Sequence, residues 1–332
     1  MLKKLKRHIL GFIKRKPQLL RAARILYHSG DSSRLVYTCR NWTANKYIRY
    51  ALKVLMFPVY IFKYFHIRDV PGREGLAFVL IAKNEAPYIE EWLNFHRKQG
   101  VTHFIIYDNE STDNFREILT PYIDSGLVTY NTIKGKMRQL DAYNMAVHDY
   151  GRKFKYMAFI DADEFVFVRK NTYTGGGHDL IAFMDGFMKA HPNAGGIAIN
   201  WLIFGSNGHL TKPEGGVLES YTMCAEKNFW PNHLVKTITD PMRILSASVH
   251  TSIYRRGFYN LDENGNIVNG SPGTEQVNFE QIRINHYFCK SQEEFKAKRE
   301  RGKADQLGLR AMHEFSSHDQ NVIHDTEILS YV

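Results

Sequence analysis

Two aspartates separated by one residue, Asp161 and Asp163, lie between two short apolar segments, 156–160 and 165–168. Burying neighbouring carboxylates without a cation is costly. Carboxylate oxygens are ligands that Mg²⁺ and Mn²⁺ prefer, and a cation held there can neutralise a diphosphate leaving group. The spacing therefore predicts a divalent metal site, with a structural or capping role as the alternative.

A regular alternation of strand and helix patterns positions this pair. The predicted strands are 76–82, 102–107, 127–130 and 156–160, and the predicted helices are 87–99, 113–122 and 136–150. Such alternation is typical of an α/β fold with a mostly parallel sheet and helices on both faces. Ligands of these sheets bind beyond the carboxyl ends of the strands, which is where both aspartates are expected.

Polar residues also follow the first two predicted strands. The first strand ends at Ala82 and leads into Lys83, Asn84 and Glu85, and Asp108 follows the second. We expect both loops to contact the same bound ligand because the carboxyl ends of parallel strands share one edge of the sheet. For Asp108, capping of the following helix is the alternative.

The composition excludes several classes of protein. The 332 residues are 44% hydrophobic and 23% charged, unlike a disordered or low-complexity chain. Cys39, Cys224 and Cys289 show no CxxC spacing, so neither a disulfide framework nor a thiolate zinc site is predicted. No apolar run approaches the roughly 18 residues of a membrane span.

Positive charge is concentrated near the N-terminus. Residues 1–75 hold 17 Lys and Arg but 3 Asp and Glu, and Leu2, Leu5, Ile9 and Phe12 fall at helical spacing among them. A basic amphipathic segment is expected to bind an anionic membrane surface, with a solvated or packed helix as the alternative. No nucleic-acid-binding motif accompanies the charge, so nucleic acid is not an expected partner.

The same N-terminus is a poor signal peptide because its apolar core, Ile9 to Ile13, has five residues and runs into further Lys and Arg. We therefore expect a cytoplasmic protein, peripheral on the cytoplasmic face of the inner membrane if the basic segment binds lipid.

A longer series of motifs runs through residues 76–305. It comprises Lys83-Asn84-Glu85, Glu91-Trp92, His96, Gly100-Val101, Tyr107 to Asp113, Asp161 to Phe165, Trp201 to His209, Val217-x-Glu219, His250, Asn285 to Phe295, Lys298, Arg301, Gly302 and Lys303. In this order the series resembles glycosyltransferase family 92 of bacterial type, within the family-2-like transferases of GT-A fold. Ser220 is a departure, since the family pattern leads us to expect an arginine there.

The resemblance implies a Rossmann-like GT-A fold and a metal-dependent, inverting hexosyl transfer from a UDP-sugar, with UDP-galactose as the first donor to test. It also implies Mn²⁺ or Mg²⁺ at Asp161 and Asp163, completed by His250 or His286. The residues expected to contact the nucleotide-sugar are Ala82, Lys83, Asn84, Glu85, Asp108, Gln139, Asn144, Asp161, Lys298, Arg301 and Lys303. Ordinary helix surface is the alternative for Gln139 and Asn144, and a solvated helix face for the three basic residues.

An inverting transferase needs a base that deprotonates the acceptor hydroxyl. Glu219 is the first candidate because it follows a glycine-rich segment, 205–216, and belongs to a motif that the family shares. Asp240 is the second candidate and Glu164 the third. A buried structural ion pair is the alternative role for Glu219.

The chain is thus expected to comprise a basic segment (1–70), a catalytic domain (71–310) and a C-terminal tail (311–332). The expected acceptor is a saccharide, carried on a lipid in lipopolysaccharide or capsule synthesis if the basic segment binds membrane. One rival class is a metal-dependent phosphoesterase or nucleotidyltransferase, which usually needs a denser set of metal ligands. The other is a non-catalytic glycan-binding protein that keeps the fold.

Overall fold

The structure is a computed structural model and describes residues 55, 58–67, 69–169, 179–268, 273–302 and 308–332. The predicted amphipathic segment at the N-terminus and Lys303 lie outside these residues. In the described part of the chain, no helix is both long and apolar enough to cross a bilayer.

A nine-stranded sheet forms the centre of the described chain, in the order β3-β2-β1-β4-β8-β6-β12-β5, with β11 beside β6. Its strands are β1 (Leu76–Ala82), β2 (His103–Asp108), β3 (Val128–Thr132), β4 (Tyr156–Phe159), β5 (Glu164–Val168), β6 (Ala194–Ile203), β8 (Val235–Thr239), β11 (Tyr259–Leu261) and β12 (Ile282–His286). The first four strands are parallel, and β8 runs antiparallel to both of its neighbours, β4 and β6. Two short pairs complete the strands: β7 (Met223–Cys224) with β13 (Ile323–His324), and β9 (Ile244–Ser246) with β10 (Ile253–Tyr254).

Helices cover both faces of this sheet. They are α1 (58–65), α2 (Ala86–Lys98), α3 (Phe115–Asp124), α4 (Gln139–Tyr150), α5 (Leu180–Ala190), α6 (Val217–Ser220), α7 (Gln292–Arg301) and α8 (Met312–His318). Alternate residues of β1 point to opposite faces: Phe78 packs in the cluster that includes α2 and α3, and Val79 in the cluster that includes α4. The predicted α/β architecture, a mostly parallel sheet flanked by helices, is confirmed.

The predicted tail, residues 311–332, is an integral part of this fold. Ile328 and Tyr331 are buried in the main core, and the Tyr331 ring lies 4.8 Å from that of Phe167. Arg283 of β12 is also buried, and its guanidinium pairs with Asp325 at 2.8 Å. These contacts bring α8, which precedes them in the chain, back to the carboxyl edge of the sheet.

Candidate active site

A cavity of about 350 Å³ opens at the carboxyl edge of the parallel strands, within the usual size range of small-molecule sites. It lies where the loops after β1 and β2 meet the turn after β4, the end of β12 and helices α7 and α8. The predicted site residues that line it are Ala82, Lys83, Glu85, Gln139, Asp161, Asp163, His250, His286, Lys298 and Arg301. These ten residues come from several elements and meet at this one cavity.

The turn that carries Asp161 and Asp163 is held by buried groups beneath it. The indole Nε1 of Trp92 donates to the carbonyl oxygens of Asp161 and Glu164 at 3.1 and 2.9 Å. One carboxylate oxygen of Glu164 accepts the Asp161 amide at 2.9 Å. Trp92 is fully buried in α2, so packing of that helix on the sheet fixes the backbone of the turn.

Asp161 is paired with a lysine inside the protein. Its Oδ2 lies 2.7 Å from Nζ of Lys236, and its Oδ1 accepts from Gln139 at 3.1 Å and Tyr143 at 3.2 Å. Lys236 has no exposed surface and also lies 3.6 Å from Glu164. Burial opposes its charge, but the two carboxylates outweigh burial and raise the pKa of Lys236. Lys236 of β8 thus neutralises the charge of Asp161.

Asp163 faces α7 and the end of β12. Its Oδ2 lies 2.5 Å from Nζ of Lys298 and 3.6 Å from Nε2 of His286. Burial favours the neutral carboxyl, but Lys298 and His286 outweigh it and hold the pKa of Asp163 well below its usual range. The second aspartate is therefore an anion that faces the cavity.

The predicted metal site, with both aspartates and a histidine around one ion, stays a prediction. Among the residues that the structure describes, no three His, Cys, Asp or Glu side chains are grouped to hold a metal. Each aspartate is instead paired with a lysine, Asp161 with Lys236 and Asp163 with Lys298. His250 lines the same cavity. The Trp201 ring contacts both histidines, with its centre 5.4 Å from that of the His250 ring and 4.3 Å from that of the His286 ring.

A smaller ligand set does fit a divalent ion. Two ligands about 2.1 Å from one ion lie roughly 3–4 Å apart, which matches the separation of Asp163 and His286. Burial lowers the pKa of His286 despite the neighbouring carboxylate, and the neutral imidazole is the form that binds metals. Its Nδ1 is buried without a hydrogen-bond partner. Phosphate oxygens and water commonly supply the other ligands of such ions.

Helix α7 brings positive charge to the opposite wall. Arg301 pairs with Glu85 at 3.0 Å and also donates to the carbonyl oxygen of Asn84. Burial raises the pKa of Glu85 against the effect of Arg301. Behind them, burial lowers the pKa of Lys290 to about 8, and its Nζ lies 3.1 Å from the centre of the Tyr88 ring. Arg301 and Lys298, the two cations of α7 that line the cavity, suit a diphosphate.

Three predicted nucleotide contacts lie behind the cavity wall instead. Asn84 has a φ of 54° and joins the two loops by accepting the Thr112 amide at 2.7 Å. Asp108 closes its own turn by accepting from the Ser111 amide and the Tyr130 hydroxyl, while the next residue, Asn109, lines the cavity. These hydrogen bonds give Asp108 a structural role in its own turn, and neither of them caps the helix that begins at Phe115.

Asn144 likewise supports the cavity from behind. Its amide exchanges hydrogen bonds with the backbone of Ala247, at 2.9 Å to the nitrogen and 3.1 Å to the oxygen. Ala247 begins the loop 247–252, which carries His250 and Val249 to the cavity. Asn144 is thus placed to fix this loop.

The two first candidates for the base are placed outside the cavity. Glu219 is exposed on α6 and is absent from the cavity lining. Asp240 follows β8, whose antiparallel direction takes it to the opposite edge of the sheet, where it pairs with Arg73 at 2.8 Å and Arg243 at 3.2 Å. A base must lie within hydrogen-bond reach of its substrate, so neither position supports that role.

The third candidate, Glu164, is fully buried beneath the turn. One of its oxygens is bonded to the Asp161 amide and the other has no hydrogen-bond partner. Burial raises the pKa of this carboxyl well above its usual value, although Lys236 opposes the shift. Glu164 therefore supports the turn and does not face a substrate.

The sequence reasoning missed the wall formed by the C-terminal segment. Arg310, Glu314 and His318 all line the cavity. Nδ1 of His318 lies 2.9 Å from the Glu314 carbonyl oxygen and 3.0 Å from the Ser317 hydroxyl. Because the carbonyl oxygen only accepts, the first contact favours the tautomer with the proton on Nδ1. Burial lowers the pKa of His318. Glu314 and His318 are four residues apart, which places them on one helix face, and this spacing was a signal available in the sequence.

Comparison with known proteins identifies the family. The family model described as glycosyltransferase family 92 matches residues 81–320. A family 92 protein of Ricinus communis is 25% identical over 170 residues, which are 49% of this chain and 29% of the relative. Galactan beta-1,4-galactosyltransferase GALS2 of Arabidopsis thaliana is 34% identical over 90 residues, 24% of this chain and 17% of the relative.

Solved structures give more distant likenesses. Staphylococcus aureus TarS 1–349 aligns with a TM-score of 0.33 and 14% identity, covering 50% of this chain and 47% of TarS. The mannosyltransferase PcManGT from Pyrobaculum calidifontis aligns with a TM-score of 0.28 and 18% identity, covering 55% and 47% of the two chains. The matches to the curated relatives span 17% to 39% of their length. The family model covers most of this chain, so the chain belongs to glycosyltransferase family 92.

Proposed function

We propose that the protein transfers a hexose from a nucleotide-sugar to the hydroxyl group of a saccharide acceptor. One observation carries the proposal: Asp163 and His286 face Lys298 and Arg301 in a single cavity at the carboxyl edge of the sheet. An anionic metal ligand opposite two cations suits a sugar diphosphate, whose charge grows as the sugar leaves.

On the donor side of the cavity, formed by Ala82, Lys83, Glu85, Gln139, Asp163, Lys298 and Arg301, the residues hold the leaving group. Asp163 and His286 are suited to hold Mn²⁺ or Mg²⁺, which when bound supplies Lewis-acid neutralisation of the diphosphate. Lys298 and Arg301 donate hydrogen bonds to phosphate oxygens from α7. Asn109, Ala82 and Lys83 contact the base and ribose.

We propose UDP-galactose as the donor. The Arabidopsis relative is named as a galactosyltransferase, and the sequence motifs resemble those of UDP-sugar-dependent enzymes. Epimer preference depends on few pocket contacts, so a panel of UDP-sugars is the appropriate test.

On the acceptor side, formed by Trp201, Arg310, Glu314 and His318, we assign His318 as the base. In the tautomer with the proton on Nδ1, Nε2 has the lone pair. In an inverting transfer the acceptor oxygen bonds to the anomeric carbon while the bond from that carbon to the phosphate oxygen breaks. The hydroxyl proton passes to Nε2, and the electron pair of the broken bond leaves with the nucleoside diphosphate.

We likewise propose that the protein works at a membrane surface on a glycan acceptor. The basic segment, residues 1–70, supports attachment to the cytoplasmic face of the inner membrane. An enzyme held there would act on a lipid-linked glycan, as in lipopolysaccharide or capsule synthesis.

Calorimetric titration of UDP tests the donor site. We expect UDP binding by the wild type to require Mn²⁺ or Mg²⁺ and to be lost in Asp163→Ala. Asp185→Asn is the matched control, because Asp185 pairs with Lys155 on the protein surface. UDP release from a panel of UDP-sugars, with and without saccharide acceptors, then identifies the donor. Metal-independent binding, or binding that survives Asp163→Ala, would contradict the assignment; release that no acceptor accelerates would favour a phosphoesterase.

A further inference from the structure

Helix α1, residues 58–65, has two different apolar faces. Its inner face carries Tyr60 and Tyr64, which pack against Leu245 of β9 and Ile253 of β10. Residues on a helix advance by about 100° per position, so Phe62 and Phe65 lie on the side opposite Tyr60. The helix therefore has one face on the domain and another that points away from it.

The outer face is exposed and mostly apolar, and the exposed His66 ring stacks on Phe62 with ring centres 4.1 Å apart. Phe62 is 58% exposed and Phe65 50%. The neighbouring exposed apolar residues are Leu55 (68%), Val59 (42%), Ile61 (36%) and Ile67 (44%). Single exposed apolar residues are common, but a continuous apolar patch on a folded domain usually marks an interaction surface.

The helix is anchored firmly enough to present this surface. The guanidinium of Arg255 donates to the carbonyl oxygens of Lys63 at 3.0 Å and His66 at 2.8 Å, which caps the end of α1. The amide of Arg256 donates to the Tyr64 carbonyl at 3.0 Å. These bonds tie α1 to the start of the segment that follows β10, so its outer face keeps a fixed direction relative to the domain.

The charge around the patch is positive. The Arg256 guanidinium lies 5.3 Å from the centre of the Phe65 ring, and Arg255 lowers the pKa of Lys63 in addition to the larger effect of burial. Within the described residues 58–67, Lys63 is the charged side chain and no Asp or Glu is present. An apolar face bordered by cations is complementary to an anionic membrane, whose headgroups attract the cations while the apolar side chains insert.

We propose that the outer face of α1 docks the catalytic domain on an anionic lipid surface, with Phe62 and Phe65 inserted between headgroups. The inference deepens the membrane attachment proposed above by assigning it to a contact surface on the folded domain. The hairpin β9–β10 supports α1 on one side, and its loop carries Val249 and His250 into the cavity. Docking by α1 would therefore set the orientation of the cavity relative to the membrane.

Co-sedimentation of the full chain with lipid vesicles tests this assignment. The vesicles contain phosphatidylcholine alone or phosphatidylcholine with phosphatidylglycerol. We expect the wild type to bind the anionic vesicles, and Phe62→Gln/Phe65→Gln to bind them at least about tenfold more weakly. The matched control, Leu210→Gln/Val322→Gln, removes two exposed apolar residues elsewhere and is expected to bind as the wild type does.

Two further measurements identify other occupants of the face. If residues 1–54 cover it, the Phe62/Phe65 variant unfolds at a lower temperature than the control variant and sediments unchanged. If a second copy covers it, the wild type has the mass of a dimer in solution and the variant that of a monomer. Either result, or equal sedimentation of the two double variants, overturns the proposal.

Turnover of UDP-sugar with a soluble acceptor, measured on the same samples, separates this inference from the proposed function. If the wild type shows no turnover but its vesicle binding depends on Phe62 and Phe65, only the proposed reaction is contradicted. If turnover is normal but vesicle binding is the same with and without these two side chains, only the docking surface is contradicted.

Discussion

The donor and acceptor sides of the cavity are built in different ways. The donor side consists mainly of loops that directly follow β1, β2 and β4, so short stretches of sequence carry both the strand and the residues at its end. The acceptor side brings together Trp201 from β6 and Arg310, Glu314 and His318 from the C-terminal segment. Local patterns therefore reveal a site on parallel strands, whereas a wall assembled from distant segments requires the tertiary fold.

The two sides also differ in how they treat charge. The donor side holds each carboxylate close to a cation: Asp161 lies 2.7 Å from Lys236, Asp163 2.5 Å from Lys298 and Glu85 3.0 Å from Arg301. On the acceptor side, Arg310 and Glu314 lie farther apart, at 3.7 Å. Substitutions on the donor side should consequently affect folding and binding together, and those on the acceptor side should affect turnover alone.

The largest expected effect is on the donor side, at Lys236. Lys236→Met leaves the buried Glu164 and its partly exposed neighbour Asp161 without their cation, and breaking a buried ion pair typically costs about 3–5 kcal/mol. We expect the free energy of unfolding in urea to fall by that amount. The surface variant Lys155→Met, which loses only an exposed pair with Asp185, should change it by less than about 1 kcal/mol. Equal effects of the two variants would show that Lys236 is not neutralising buried charge.

The acceptor side should respond in kcat. His318→Gln keeps a polar side chain but removes the base, so kcat should fall by about 10²–10⁴ while UDP affinity and stability stay near those of the wild type. Glu219→Gln, outside the cavity, is the comparison variant and should retain activity. The reverse result, loss in Glu219→Gln and retention in His318→Gln, would restore the base predicted from the sequence.

The pH dependence follows from the same histidine. A base must be neutral, and burial lowers the pKa of His318 below its ordinary value of 6.5. The rate should therefore stay constant as pH falls to neutrality and decline only below pH 6.5, as the imidazole gains a proton. This acidic limb should disappear from the residual activity of His318→Gln; its persistence would assign the titration to another group.

A medium effect is expected at the ion pair between Arg301 and Glu85. Arg301→Gln removes a phosphate donor and should weaken UDP binding by about 10- to 100-fold. It also leaves the buried Glu85 unpaired, so stability should fall as well. The double variant Glu85→Gln/Arg301→Gln should recover stability but not UDP affinity, as measured by urea unfolding and calorimetry. Recovery of both would mean that Arg301 acts only through Glu85.

The smallest effect is expected at Asp108. Asp108→Asn disturbs one of two hydrogen bonds that close the β2 turn and should cost about 1–2 kcal/mol of stability. UDP affinity should change by less than about threefold, because Asn109 and not Asp108 lines the cavity. A large loss of UDP affinity without loss of stability would support direct nucleotide contact by Asp108.

These contrasts explain how far the sequence could be interpreted. The parallel strands and the loops after them were predictable because buried apolar runs end abruptly in polar residues. The direction of β8 was not, and this direction separates Asp240 from the cavity while it brings Lys236 beneath Asp161. A lysine within a short, fully buried strand was the local sign of that pairing.

The C-terminal segment shows the same limit. Its helix is short, and no apolar periodicity links residues 311–332 to the sheet. The long-range contacts that place it, such as Arg283 with Asp325, join residues whose partnership cannot be inferred from a single sequence. His318 and Glu314 were consequently missed as cavity residues.

The position of Trp201 gives the protein its own optical probe. Its indole lines the cavity and contacts both His250 and His286, whereas Trp92 is fully buried and Trp230 is largely exposed on a distant turn. Indole emission is sensitive to neighbouring imidazolium groups and to water. Subtracting the emission of Trp201→Phe from that of the wild type isolates this signal, so filling of the cavity can be followed in real time without an attached dye.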